Sequence, residues 1–172
     1  EGAAYVTAAY SRLIAEGRMK NIITTCCPSI NDFIEKYYPD LTPFMAPVVS
    51  PMVAHGMLIK ELYGPDTKVV FLGPCIAKKE EAEFDIRTRG YIDAVINFEE
   101  LEQWLLDEHI DIRSCDVKKM ANPDPKVNRL YPVQNGVITS VIKNYFADGS
   151  LEEIQPSEPL NNYNRIFVDG FE

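Results

Sequence analysis

The chain has 172 residues, 46% of them hydrophobic, enough for one domain with a real core. It carries 17 basic against 26 acidic residues, a formal charge of −9, which argues against a nucleic-acid or anionic-membrane partner, since both select clustered positive charge. No apolar run approaches the roughly 20 residues that cross a bilayer. The opening Glu1-Gly2-Ala3-Ala4-Tyr5 also lacks the basic and apolar regions of a secretory signal, so the cytoplasm is the expected location. A start on Glu1 rather than Met reads as a piece of a longer protein.

Residues 4–16 predict a helix with Ala4, Ala8 and Leu13 or Ile14 near helical spacing, closed by Gly17. Asn21-Ile22-Ile23-Thr24-Thr25 is a β-branched strand running into Cys26-Cys27-Pro28. Ser29 or Asn31 is the expected cap of the next helix, which carries Phe33, Ile34 and Tyr37 and stops at Pro39. Pro43, Pro47 and Pro51 punctuate a loop. An apolar helix over 52–63 follows, with His55 expected in the core, and ends at Gly64-Pro65. Lys68-Val69-Val70-Phe71-Leu72, apolar on both faces, suits a central parallel strand. It ends at Gly73-Pro74-Cys75, where a glycine suits a sharp turn. A helix over Ala77 to Phe84 places Lys79 and Glu83 at i,i+4 spacing. Tyr91 to Ile96 is a third strand, with Asp93 at its edge, and Glu99 to Glu108 the helix after it. Residues 114–130 read as a surface connection, Val137 to Phe146 as a helix, and Arg165-Ile166-Phe167-Val168 as a fourth strand. This alternation predicts a three-layer α/β fold over 1–172, a single lobe with a mostly parallel sheet of about four strands flanked by helices.

The four cysteines, at 26, 27, 75 and 115, are too few for a disulfide scaffold. Cys26-Cys27 follows the first strand and Cys75 the second, and strand carboxyl ends line the ligand crevice of open α/β sheets. Thiolates suit soft metals, iron–sulfur clusters and zinc above all. Cys115, His55 and His109 add no recognisable zinc spacing. From the residues alone, half of a metal site and a set of buried thiols remain equal readings.

Thr24-Thr25-Cys26-Cys27-Pro28-Ser29-Ile30 resembles the FeFe-hydrogenase pattern Thr-Ser-Cys-Cys-Pro-x-Trp. Gly73-Pro74-Cys75-Ile76-Ala77-Lys78-Lys79-Glu80-Glu81 resembles that family's second pattern, Met-Pro-Cys-x-x-Lys-x-x-Glu. Glu35 to Pro39, Ser50-Pro51 and Ile92 to Val95 extend the similarity over most of the chain. The resemblance implies a 4Fe-4S cubane cluster joined through a cysteine to a di-iron site, with Cys27 and Cys75 as cubane ligands. It implies that Cys26 passes protons, that Lys78 reaches a cyanide ligand of the di-iron site, and that Glu81 supports Lys78. A third motif with Cys-x-x-x-Cys spacing, which supplies the family's other two ligands, is not in these 172 residues. No complete cluster is therefore expected in this chain alone. A redox partner such as ferredoxin, or attached iron–sulfur or signalling domains, is the implied company.

Three positions depart from the family in a consistent direction. Ungapped counting places Val6 and Ala9 at two relay glutamates and Ala46 at a relay serine, and none of the three can carry a proton. Gly73 stands for a methionine that packs over the di-iron site, and Ile30 for the tryptophan. These departures resemble the sensory branch of the family. The expected function is hydrogen metabolism, or hydrogen or redox sensing at low turnover. The rivals are a cluster-binding regulatory module without hydrogenase activity and, more distantly, a zinc-binding or purely structural domain.

Overall fold

The structure is a computed structural model that describes residues 1–118, 129–133 and 135–146. The chain folds as two compact units, Glu1–His55 together with Pro125–Glu172, and Gly56–Asp124.

The first unit is built on helix α1, Gly2–Glu16. Its buried stripe is Gly2, Val6, Tyr10 and Ile14, flanked by Thr7 and Ser11, one residue in four as a helix face requires. The expected stripe through Ala4 and Ala8 is displaced, because the large side chains decide which face is buried and both alanines are only half-buried. Gly17 closes the helix in the left-handed region (φ 60°), its N–H reaching the Ile14 carbonyl. Helix α2, Pro28–Tyr37, starts with proline at its first position, and Cys27 rather than Ser29 or Asn31 is the N-cap. Proline there sacrifices a donor that has no intrahelical acceptor in any case. A 3-10 turn over Pro39–Phe44 leads toward α3, Pro51–Tyr63, which carries the chain into the second unit. After the undescribed connection, α6 (Gly136–Val141, numbered after the helices of the second unit) continues as a π turn over Ile142–Phe146. Val141 and Ile142 close on Val6, Tyr10, Ile14 and Ala46 to form the core.

Among the described residues, the expected first strand is reduced to a single parallel bridge between Ile23 and Met45. Two hydrogen bonds make it, Ile23 N–H to the Phe44 carbonyl (2.8 Å) and Ala46 N–H to the Ile23 carbonyl (2.9 Å).

In the second unit β1 (Val70–Leu72) pairs in parallel with β2 (Ala94–Ile96), Phe71 opposite Val95. Parallel pairing is as expected, but this sheet has two strands among the described residues, and the fourth expected strand, 165–168, lies outside them. Val70 and Leu72 are 55% and 47% exposed, so β1 is not the doubly covered central strand that its composition suggested. Helix α4 spans Ala77–Phe84 and α5 Phe98–Asp107. A reciprocal capping box between Asn97 and Glu100 opens α5. Lys79 pairs with Glu100 instead of Glu83, because Glu100 is already held at the start of α5 while Glu83 points to solvent. Asp93 is the organising carboxylate at the strand edge. It accepts from Val69 N–H (2.9 Å), Lys60 (2.9 Å) and Lys68 (3.1 Å).

Candidate iron–sulfur ligand and proton-handling residues

Both cysteine motifs sit where a chain segment turns into a helix. In the first unit Thr25 is buried, Cys26 half-buried and Cys27 exposed. Cys27 caps α2, the end of a helix that favours negative charge such as a thiolate. In the second unit the chain leaves β1 through Gly73, whose N–H still bonds the Ile96 carbonyl at 3.1 Å. Cys75 follows, exposed, its carbonyl accepting from Lys78 N–H at 3.2 Å as α4 begins. None of the four cysteines is in a disulfide among the described residues, and Cys115 is exposed beside the Asp111 carbonyl.

Lys78 and Glu81 form an ion pair at 2.6 Å with side chains only 12% and 6% exposed. A pair this dry is held by its geometry, since each partner would be costly to bury alone. The loop after α4 closes over it, with Thr88 Oγ1 donating to the Glu81 carbonyl at 3.3 Å. Lys79 lies outside this arrangement, pinned to Glu100.

Gly73 is buried, and its φ is not in the left-handed region. The expected sharp turn is therefore not its reason. A Cβ there would stand 2.8 Å from the Phe71 ring, so the glycine makes room for an aromatic side chain of its own strand. A methionine at this position would displace Phe71. His55 is not in the core either. Its side chain is 38% exposed and its Nε2 lies 3.2 Å from the Glu1 carboxylate.

The three positions without relay groups fall in the first unit. Val6 is 1% exposed and Ala46 5%, and both belong to the apolar core. Ala9 is half-buried. Two phenols, Tyr10 and Tyr131, feel the charge of Cys26 instead, and each meets a threonine hydroxyl. Tyr10 Oη accepts from Thr25 N–H (2.8 Å) and lies 3.2 Å from Thr25 Oγ1. Thr7 Oγ1 lies 3.0 Å from Tyr131 Oη. Burial pushes the Tyr10 phenol up to about 12, with the nearby Cys26 sulfur adding to the shift. Burial raises Tyr131 as well. These residues were not singled out in the sequence, although Tyr10 falls on the Val6–Ile14 face at i,i+4 spacing and was open to discovery there.

Two free thiols suit an iron–sulfur cluster by softness and by exposure. No group of three or more His, Cys, Asp or Glu converges among the described residues. Cys27 lies in the first unit and Cys75 in the second, and each offers one thiolate of the kind a cluster takes.

The chain matches the family described as iron only hydrogenase large subunit, C-terminal domain, over residues 3–166, and it belongs to that family. It is 35% identical over 99 residues to the periplasmic Fe hydrogenase large subunit of Nitratidesulfovibrio vulgaris, covering 51% of this chain and 23% of that one. It is 27% identical over 111 residues to the cytosolic Fe-S cluster assembly factor NAR1 of Yarrowia lipolytica, covering 55% and 23%. The chain therefore spans about a quarter of the length of these relatives. A solved FeFe-hydrogenase, studied for oxygen inactivation and degradation of its H cluster, superposes with a TM-score of 0.58 at 24% identity, over 92% of this chain and 44% of that one. The apo FeFe-hydrogenase HydA1 of Chlamydomonas reinhardtii, in a variant form, superposes at 0.53 with 24% identity, over 72% and 33%. At these identities the two structures speak for the fold. No described helix is long and apolar enough to cross a membrane.

Proposed function

We propose that this chain is the part of a longer iron-only-hydrogenase-like protein that contributes two cubane thiolates, Cys27 and Cys75, and that the protein handles hydrogen or redox state slowly, as a sensor does. The observation that carries the first half is the pair of free, exposed thiols at the starts of α2 and α4, each within a motif of the family. Bound there, a cluster would store and pass electrons. The chain's own residues do the rest. Lys78, held by Glu81, presents a fixed ammonium that suits an anionic ligand such as cyanide, and Glu81 sets its direction. Cys26 is the thiol placed to hold the last proton. Behind it, Val6 and Ala46 offer only alkyl groups in a dry core, so the usual supply of protons is cut. That break is what supports low turnover. The cytoplasm, and a ferredoxin or attached iron–sulfur or signalling domains as electron partner, complete the proposal.

A second reading has a specific observation behind it. NAR1 is similar to this chain and is described as a cluster assembly factor rather than a hydrogenase, which favours a cluster-binding protein without hydrogen chemistry. One experiment addresses both. The full-length protein is reconstituted with iron and sulfide, matured with a di-iron cofactor, and assayed by electron paramagnetic resonance and hydrogen evolution. The expected result is a four-iron signal lost in Cys27→Ser and in Cys75→Ser, with slow evolution of hydrogen. No evolution at all with the signal intact would favour the second reading. A four-iron signal indifferent to both substitutions would overturn the ligand assignment.

A further inference from the structure

Thr25 is the last residue before the two cysteines, and each of its polar groups is taken by a different part of the first unit. Its N–H donates to Tyr10 Oη on α1 (2.8 Å), and its carbonyl accepts from Asn31 Nδ2 on α2 (2.9 Å). Its hydroxyl donates to the Val48 carbonyl at 2.6 Å, with the Ala46 carbonyl at 3.1 Å. Because that hydroxyl has one proton and spends it on a carbonyl, the 3.2 Å contact between Tyr10 Oη and Thr25 Oγ1 takes its proton from the phenol. Tyr10 thus accepts from Thr25's backbone and donates to its side chain. In a continuing strand a neighbouring backbone would fill this role. Among the described residues the ladder here is the Ile23–Met45 bridge, and a side chain from α1 takes over two residues later. Both Tyr10 and Thr25 are buried, 2% and 6% exposed, so water does not compete for these bonds. The ring of Tyr10 fills the core while its hydroxyl reaches the turn, and the two roles are separable.

We infer that Tyr10 is a positioning residue for the Cys26–Cys27 pair: through Thr25, its hydroxyl fixes where the chain leaves the core and therefore where the two thiols stand. The inference rests on the proposed role of Cys27 as a cluster ligand for its purpose, though not for its geometry.

The test compares Tyr10→Phe, which keeps the ring and removes the hydroxyl, with Ile14→Val, which trims the same face of α1 one turn away. Thr25→Val keeps the N–H bond to Tyr10 and removes the hydroxyl that meets Tyr10 Oη and the Val48 and Ala46 carbonyls, and the double variant with Tyr10→Phe reports coupling through the contact the two share. Three quantities are read on the full-length protein: amide exchange at Thr25, alkylation of Cys26 and Cys27 by iodoacetamide in the folded cluster-free form, and the rate at which a chelator strips iron from the reconstituted form. Tyr10→Phe is expected to speed exchange at Thr25 by about fivefold or more, the worth of one buried hydrogen bond. It should also change alkylation of the two thiols severalfold and hasten loss of iron. Ile14→Val should leave all three near wild type even at a similar loss of thermal stability, and the double variant should change by less than the two single variants combined, because both lose the Tyr10 Oη–Thr25 Oγ1 contact. Wild-type exchange and alkylation in Tyr10→Phe would overturn the inference, whatever Thr25→Val does. So would an equal change in Ile14→Val, which would reduce it to general loosening of the core. If the wild type takes up no iron, the ligand proposal fails on its own, and exchange and alkylation still decide the role of Tyr10.

Discussion

Val6 and Ala46 show how a position can be lost to proton transfer and gained by the core. Each stands where the resemblance to FeFe-hydrogenases expects a relay group, and each packs with Tyr10, Ile14, Val141 and Ile142. Restoring the relay is therefore no neutral experiment. A carboxylate at position 6 would enter a site 1% exposed, among apolar side chains with no cation in the cluster. An unpaired carboxyl in such a place stays protonated and still loses its hydration. Val6→Glu is expected to destabilise the protein by roughly 3 kcal/mol or more, whereas Ala9→Glu, at a half-buried position, should cost about 1 kcal/mol or less. Thermal melts followed by circular dichroism check both. A Val6→Glu variant as stable as wild type would mean that the core opens to water there, and the dry-core argument for slow turnover would fall with it.

At the level of elements, the second unit is held together by carboxylates. The Val69 N–H, then Lys60 and Lys68, hold Asp93 well below the usual carboxylate range. Arg87 lowers Asp85 through a two-pronged contact at 2.8 and 3.0 Å. Lys79, with help from the Asn97 N–H, lowers Glu100 and so joins α4 to the start of α5. A carboxyl that binds protons less readily folded than unfolded contributes stability above its unfolded value, about pH 4, and loses it as pH falls through the lower folded value. Acid should therefore weaken the second unit first. Among the described residues the first unit's core cluster contains no carboxylate. Amide exchange between pH 5 and pH 3 is expected to lose protection over 69–72 and 94–101 before it does so over 6–14. The opposite order would show that these pins, all partly solvent-exposed, are too well screened to matter. Helices were legible in the sequence because their signals are local. Pro39, Gly17, Gly64 and the run Ala77–Phe84 mark ends that the structure reproduces to within a residue or two. The sheet was less legible, since β composition at 21–25 says nothing of whether a neighbour will supply a ladder. The Lys79–Glu100 pair joins residues 21 apart, beyond any periodicity. The cysteine motifs could be found because their order and spacing are themselves sequence, but the clamp on Thr25 could not, because it needs α1 folded against the turn.

The molecule as a whole separates what folds it from what it would bind. Cys27 and Cys75 are exposed and in no disulfide, and among the described residues the first unit's core is built from Val6, Tyr10, Ile14, Ala46, Val141 and Ile142, with no thiol among them. In the second unit the described β1–β2 pair and the Lys60–Asp93 and Lys78–Glu81 contacts form without sulfur. A small zinc domain is the contrary case, since its metal supplies the folding free energy that its core cannot, and a chelator unfolds it. Here the thiols add little to the folded state until a ligand joins them, and any stabilisation by that ligand follows mass action on top of an existing fold. The iron-free protein is therefore expected to melt at the same temperature, within about 2 °C, with and without millimolar EDTA, and Cys27→Ser and Cys75→Ser should melt with it. After reconstitution the melt should rise in the wild type and fail to rise in either serine variant. Differential scanning calorimetry on these preparations reads all of this. If EDTA melted the iron-free protein, a structural metal would be holding it together, and the zinc-binding alternative would replace the cluster reading.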